Sequence, residues 1–267
     1  MVTFPNVKIN LGLNILSKRE DGYHNLQSIF YPVDWCDILE IVKADCFHFE
    51  MTGLEIPGES KDNLVVKAYE LMKSRHKLGP VSIHLHKTIP TGAGLGAGSS
   101  NGAFALKMLN EIFDLNLDKT TLLKYAAELG SDCSFFIENI PCHVSGRGEI
   151  LEKIDFSLSK YWIKIIHPGL HISTKEAFSK IVPKSDVINL KSITKLTGSD
   201  FSKHFINDFE ESLKGSYPQL QQLKQDLLSE GAIYASMSGS GSAIYGLFEN
   251  EPKPKVGAKF EFIGKLK

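Results

Sequence analysis

The segment Pro90-Thr-Gly-Ala-Gly-Leu-Gly-Ala-Gly-Ser-Ser-Asn101 constrains the fold of this chain more than any other stretch. In it Gly92, Gly94, Gly96 and Gly98 alternate with Ala93, Leu95 and Ala97 and run straight into Ser99 and Ser100. Glycine admits positive φ and carries no Cβ, so successive N–H groups can converge on an anion while a following helix adds the positive end of its dipole. Such a backbone suits phosphate and points to a nucleotide. Before it, Val81 to Lys87 alternates apolar and polar residues, the period of a half-buried strand. After it, Ala105, Met108, Leu109 and Ile112 fall on one face of a helix that starts near Ser99 or Ser100. Those two serines can equally cap the helix or face a phosphate or a phosphate-bound Mg²⁺.

What is missing narrows the nucleotide class. A Walker loop needs a Gly-Lys-Ser/Thr ending, and the segment contains no lysine. The dinucleotide pattern is met only loosely, as Gly92-x-Gly94-x-x-Ala97, and it would require an acidic residue after a next strand, whereas two successive helical patterns come next. His-Arg-Asp and Asp-Phe-Gly, the protein-kinase signatures, do not occur. A flexible glycine-serine linker is the plain alternative, and the ordered strand and helix patterns on either side argue against it.

With 267 residues, one large domain or two medium ones are both open. A hydrophobic fraction of 42% and a charged fraction of 23% are ordinary for a soluble globular chain. The net charge of −1 provides no general basic field, which argues against nucleic acid as a partner. No apolar run reaches transmembrane length and no secretory signal pattern is visible at the N-terminus, so no membrane role is expected. Cys36, Cys46, Cys133 and Cys142 lack Cys-x-x-Cys spacing and read as reduced thiols in a cytoplasm. His84 and His86 share a strand face without a third ligand nearby, so no protein-bound zinc is expected.

Strands are predicted around residues 7–13, 27–32, 38–42, 46–51, 142–145, 162–166, 233–236 and 243–248. Helices are predicted at 63–75, 121–129, 175–181, 200–213 and 218–230, with Gly130 closing the second as a C′ glycine. A second glycine-serine turn, Met237-Ser-Gly-Ser-Gly-Ser242, lies between the last two strands. The fold class is α+β with two mixed domains, residues 1–157 and 158–267.

Three stretches together, Pro5-Asn-Val-Lys-Ile-Asn10, the glycine loop and Met237-Ser-Gly-Ser-Gly-Ser-Ala243, resemble the signature regions of the GHMP small-molecule kinases in order and spacing. Lys8-Ile-Asn-Leu-Gly-Leu13 followed by Arg19-Glu-Asp-Gly-Tyr-His24 resembles the branch of that superfamily acting on a methylerythritol that carries a cytidine diphosphate group. Gly130-Ser-Asp132, Gly146-x-Gly148-Glu149, Ser173-Thr174-x-x-x-Phe178 and Asn207-Asp208-Phe209-Glu210 extend the match. The resemblance implies a two-domain fold with mixed and antiparallel sheets, an active site in the cleft between domains, and ATP-dependent phosphorylation of the substrate's 2-hydroxyl in non-mevalonate isoprenoid synthesis. Another GHMP kinase of homoserine or mevalonate type is the alternative, and a non-catalytic metabolite sensor is a third reading.

Residue by residue, the resemblance makes Asp132 the catalytic base and Lys8 its cationic neighbour. It assigns ATP, with its Mg²⁺, to Pro90, Gly92, Ala93, Gly94, Leu95, Gly96, Ala97, Gly98, Ser99 and Ser100. Asn63 lies in the stretch that resembles the adenine side, although an N-cap role suits it equally. Substrate binding falls to Asn10, Tyr23, His24, Thr174, Phe178, Ser238 and Gly239, with Tyr23 and Phe178 as aromatic walls for a cytosine and His24 bonding its edge. The match departs from the family pattern at Cys133-Ser134, where x-Pro is usual after the aspartate, and in a short tail after Phe248.

Overall fold

A computed structural model describes residues 1–184, 188–193, 196, 198–255 and 258–267. Residue contacts group the chain into two compact units. The first gathers Met1–Val7, Trp35–Thr91 and Gly96–Ile140, and the second Lys8–Asp34, Gly92–Leu95 and Pro141–Lys267. The boundary expected at residues 157/158 falls inside the second unit, because N-terminal strands pair there with strands from beyond residue 140, a long-range pairing that local sequence pattern does not encode.

In the first unit, β1 (Val2–Thr3), β4 (Ile38–Lys43), β5 (His48–Gly53) and β6 (Val81–Lys87) form a sheet in the order β1-β4-β6-β5. Leu39 and Ile41 of β4 and Val81, Ile83 and Leu85 of β6 are fully buried, as the alternation requires. Helix α1 (Leu64–Arg75) connects β5 to the parallel β6. It is followed by α2 (Ala97–Ile112), α3 (Lys119–Leu129) and α4 (Cys133–Glu138). Gly102 lets α1 and α2 approach closely, since a Cβ there would lie 3.0 Å from that of Leu64.

The second unit contains two four-stranded sheets. Strands β2 (Asn6–Lys18, entering this unit at Lys8), β3 (His24–Cys36), β7 (Cys142–Ser145) and β8 (Ile150–Lys153) lie in that order. In the other sheet, β9 (Trp162–His167), β10 (Tyr234–Met237), β11 (Ile244–Phe248) and β12 (Phe260–Lys265) form the antiparallel order β10-β11-β9-β12. Helices α5 (Thr174–Ser179), α6 (Gly198–His204), α7 (Asp208–Leu213) and α8 (Pro218–Ser229) complete it. Leu13, Ile166, Phe209, Leu227, Met237 and Ile244 share one buried cluster.

The predicted strands at 81–87 and 142–145 coincide with β6 and β7. The helix predicted over 200–213 is instead α6 and α7, separated where Asn207 becomes an N-cap that accepts the Phe209 N–H at 3.0 Å. Gly130 terminates α3 in extended backbone, with φ 172°, rather than in the left-handed turn of a C′ glycine. The sequence pattern did not show α4, β8 or β12. The last of these pairs with β9 and supplies the regular structure after Phe248. No helix among the described residues is long and apolar enough to cross a membrane.

Candidate active site

The glycine loop is built in two parts. Its first part, Gly92–Leu95, belongs to the second unit. There the Ala93 carbonyl accepts the Ala243 N–H at 3.1 Å, and the Leu95 carbonyl accepts the Lys8 N–H at 3.0 Å. The Gly94 carbonyl accepts the Ser238 hydroxyl at 2.9 Å and the Lys8 ammonium at 3.1 Å. In a trans peptide the N–H points opposite to the carbonyl, so the N–H groups of Gly94, Leu95 and Gly96 are turned to the other side of the loop. Gly94 is required here, because its φ is +76° and a Cβ would sit 2.0 Å from the Ser238 carbonyl oxygen.

The loop's second part opens α2 in the first unit. Gly96 is the N-cap with φ 72°, a left-handed conformation, and it has no side chain to cap the first turn. The amide groups of that turn are therefore left for a ligand or solvent. Ser100 strengthens this reading: it is fully buried, and its hydroxyl has no hydrogen-bond partner. A buried orphan hydroxyl is costly unless something occupies it, and a phosphate oxygen or a nucleotide-bound Mg²⁺ is a fitting partner.

Asp132 follows α3 and takes the N-cap place of α4, yet it makes no side-chain cap bond there. Capping therefore does not account for its carboxylate. The next residue, Cys133, is buried beside Ser99, so the start of α4 lies against the first turn of α2. Burial pushes that thiol up to about 12, against the effect of Ser99, so Cys133 is an inert neutral thiol. At the position where proline is usual, Ser134 continues α4 and donates to the Leu123 carbonyl at 3.4 Å, so the departure leaves the helix intact.

Lys8 is 3% exposed, which excludes a surface role. Its ammonium donates to Asn10 Oδ1 at 2.5 Å and lies 4.5 Å from the Phe30 ring centre. Asn10 in turn donates to Ser28 Oγ at 2.9 Å, and Ser28 donates to the Gly12 carbonyl at 2.6 Å. Asn10 and Ser238 are both buried with their polar groups engaged inside the protein, so each is placed to support Lys8 and Gly94. Gly239, with φ 57°, lies against Gly94 in the second glycine turn.

The aromatic residues are arranged differently from the expected sandwich. Phe178 stacks on His24 itself, with ring centres 4.9 Å apart and planes 22° apart, and it meets Phe209 edge-on. Tyr23 is exposed, and the Arg147 guanidinium lies 4.9 Å from its ring centre. Burial, followed by the nearby Lys18 charge, lowers the His24 pKa and keeps the imidazole neutral at pH 7. Thr174 is exposed at the start of α5, whose N-cap is Ser173.

Asn63 does cap α1, accepting the Val65 N–H at 2.9 Å. It also lines an open groove of about 300 Å³ with Phe49, Met51, Pro57, Ser60 and Asp62. His84 and His86 both meet the Thr52 hydroxyl, at 2.8 and 2.9 Å, and among the described residues no group of three metal-type ligands occurs. Sequence reasoning missed Ser28 and did not assign Asn207, which donates to the carbonyls of Met237 and Gly239 at 2.8 and 2.9 Å. A lone serine in a strand carries no local signal, whereas the Asn207-Asp208-Phe209-Glu210 match was the signal for the asparagine.

A loop of inward carbonyls and an uncapped helix start with an orphan hydroxyl are features that suit phosphate. The chain belongs to the GHMP kinases: their N-terminal domain model matches residues 63–140 and their C-terminal model matches 189–261. It is 51% identical to 4-diphosphocytidyl-2-C-methyl-D-erythritol kinase of Bacteroides thetaiotaomicron, over all of both chains. Identity to the Cytophaga hutchinsonii kinase of the same name is 46%, covering 95% of this chain and 94% of that one. A crystal structure of 4-(cytidine 5'-diphospho)-2C-methyl-D-erythritol kinase superposes with a TM-score of 0.79 at 29% identity, covering 92% of this chain and 90% of that one. A mevalonate kinase structure, with a TM-score of 0.69 and 15% identity, shares the fold. The protein thus has the two-domain α+β fold of an ATP-dependent small-molecule kinase.

Proposed function

We propose that this kinase transfers the γ-phosphoryl group of ATP to the 2-hydroxyl of 4-diphosphocytidyl-2-C-methyl-D-erythritol, a step in non-mevalonate isoprenoid synthesis. The observation that carries the substrate is the 46–51% identity to kinases of that name over nearly the whole chain. In the reaction the acceptor oxygen bonds to the γ-phosphorus as the bond to the β–γ bridging oxygen breaks. ADP leaves with that electron pair, and the acceptor's proton passes to the Asp132 carboxylate.

Such transfer is mostly positioning and charge stabilisation. The N–H groups of Gly94, Leu95 and Gly96 and the first turn of α2 hold the triphosphate. Ser100 offers its hydroxyl to a phosphate oxygen or to the nucleotide's Mg²⁺, which neutralises phosphate charge when bound. Lys8, oriented by Asn10 and by the Gly94 carbonyl, supplies positive charge to the transferring group. The groove beside Asn63 receives the adenine end. Tyr23, His24 and Phe178 recognise the cytosine, which requires Phe178 to part from His24 or the base to stack on the outer face of that pair.

The test compares the diphosphocytidyl substrate with methylerythritol phosphate, homoserine and mevalonate as acceptors, following ADP and phosphorylated product with MgATP. Activity with the first alone is expected, and KM for it should rise about tenfold in His24→Ala. Efficient phosphorylation of an acceptor without cytosine would overturn the substrate assignment.

A further inference from the structure

The chain segments on either side of the glycine loop share a cluster of buried polar residues that the reaction as described does not use. Asp37, at the junction of β3 and β4, has a fully buried side chain, as does Lys87 at the end of β6. The two form an ion pair, and Asn101 of α2 joins both: its amide donates to Asp37 Oδ2 at 3.0 Å, and its Oδ1 accepts the Lys87 ammonium at 3.2 Å. The other Asp37 oxygen accepts the Thr88 and Ile89 N–H groups at 2.9 and 3.1 Å. Thr88 adds a hydroxyl bond to the Cys36 carbonyl at 2.6 Å. One carboxylate thus grips the end of β6, the two residues that follow it and the second turn of α2, the two stems from which the loop springs.

A buried ion pair is poor evidence of stability, because desolvation offsets much of the attraction and apolar replacements are often neutral. Its geometry carries more information than its energy. Asn101 directly follows Ser100, so holding its side chain restrains the rotation of α2 about its axis at the turn that carries Ser100. Gly96 cannot set that rotation by capping, having no side chain.

We propose that Asp37, Lys87 and Asn101 are positioning residues that hold the first turn of α2 in register for the nucleotide's phosphates. The inference rests on the phosphate role given to the loop above. It gives these residues a selective effect on ATP binding, with none on acceptor binding.

The experiment measures MgATP binding to the full chain by calorimetry, together with thermal melting and KM for each substrate. Asn101→Ala is the main variant, since it leaves the Asp37–Lys87 pair in place and removes only the arm to α2. Asp37→Asn is the stronger companion. Lys164→Met is the structural control: Lys164 is also fully buried and ion-paired, to Glu230 at 2.7 Å and Glu261 at 3.3 Å, but it lies on β9. Gly96→Val tests the loop itself. The expected result is a Kd for MgATP raised about tenfold in Asn101→Ala with acceptor KM unchanged, while Lys164→Met lowers the melting temperature and leaves the Kd alone. If Gly96→Val weakens ATP binding and Asn101→Ala stays within about twofold of the parent, the brace is merely structural and the proposal is overturned. If neither variant changes the Kd, the phosphate role of the loop falls, and this inference with it.

Discussion

The two glycine-serine turns, residues 90–100 and 237–243, are nearly alike in composition and opposite in design. The second is a hairpin between β10 and β11, and its two buried serines are engaged: Ser238 donates to the Gly94 carbonyl at 2.9 Å and Ser242 to the Leu170 carbonyl at 2.5 Å. The first ends in a helix with no capping side chain, and its Ser100 hydroxyl is buried without a partner. Glycine content therefore marks only a sharp turn. Whether polar groups are satisfied inside the protein or held for a ligand depends on the element the turn leads into, a strand in one case and a helix in the other.

The largest effect expected from this contrast lies at Asp132, tied to the helix end of the first turn through the Cys133–Ser99 contact. Asp132→Asn preserves shape and removes the proton acceptor, so kcat should fall by about 10²- to 10⁴-fold. The Kd for MgATP should hold, because the proposed phosphate contacts come from backbone and serine. Near-parental turnover in the asparagine variant would reduce Asp132 to a structural role and leave positioning to carry the reaction.

Gly94 is where the two turns touch, within the second unit, and it ranks next. Alanine there must adopt positive φ and place its Cβ 2.0 Å from the Ser238 carbonyl oxygen. Strain and overpacking together should cost about 2–4 kcal/mol in denaturant unfolding. Gly239→Ala has a Cβ distance of 3.0 Å to the Gly94 carbonyl oxygen and should cost less, about 1–2 kcal/mol. Equal costs would show that the turns yield to each other and that the close approach is not a fixed feature.

A serine from each turn separates the designs directly. Ser100→Ala has no internal bond to lose, so stability should be retained while kcat/KM for ATP drops about tenfold. Ser242→Ala leaves the Leu170 carbonyl unpaired and should cost about 1–3 kcal/mol of stability with kinetics intact. Destabilisation by Ser100→Ala with unchanged kinetics would mean that the hydroxyl serves the fold, and the contrast between the turns would collapse.

Much of this was legible along the chain, and the reason differs by element. The order of strand, loop and helix around residues 81–112 comes from periodicity, and β6 lies where alternation placed it. Lys8, Asp132 and the loop residues were marked by motif resemblance. The groups around them were marked only in part: Asn10 lies in the matched stretch, but its partner Ser28 is 18 residues away and Asp37 and Lys87 are 50 apart, and such pairs meet only through sheet pairing. The His24–Phe178 stack likewise joins β3 to α5 across a gap no local pattern spans. The helix predicted over 200–213 failed at Asn207 because its side chain caps a new helix and competes with the continuing backbone.

Gly98 carries the smallest expected change and the finest discrimination. It lies in the first turn of α2, outside the positive-φ residues, and a Cβ there would meet no atom within 4 Å. For the protein alone, alanine is an improvement: it reduces the freedom of the unfolded chain and should add about 0.5–1 kcal/mol of stability. Open space beside a bare helix start is also where a phosphate would lie, and a methyl group would hold it away from the amide groups. Gly98→Ala should therefore melt later and bind MgATP several-fold more weakly, two changes of opposite sign from one methyl group. A variant that is more stable and binds ATP as tightly as the parent would place the phosphates elsewhere on the loop, and the glycine at 98 would then be explained by neither fold nor ligand.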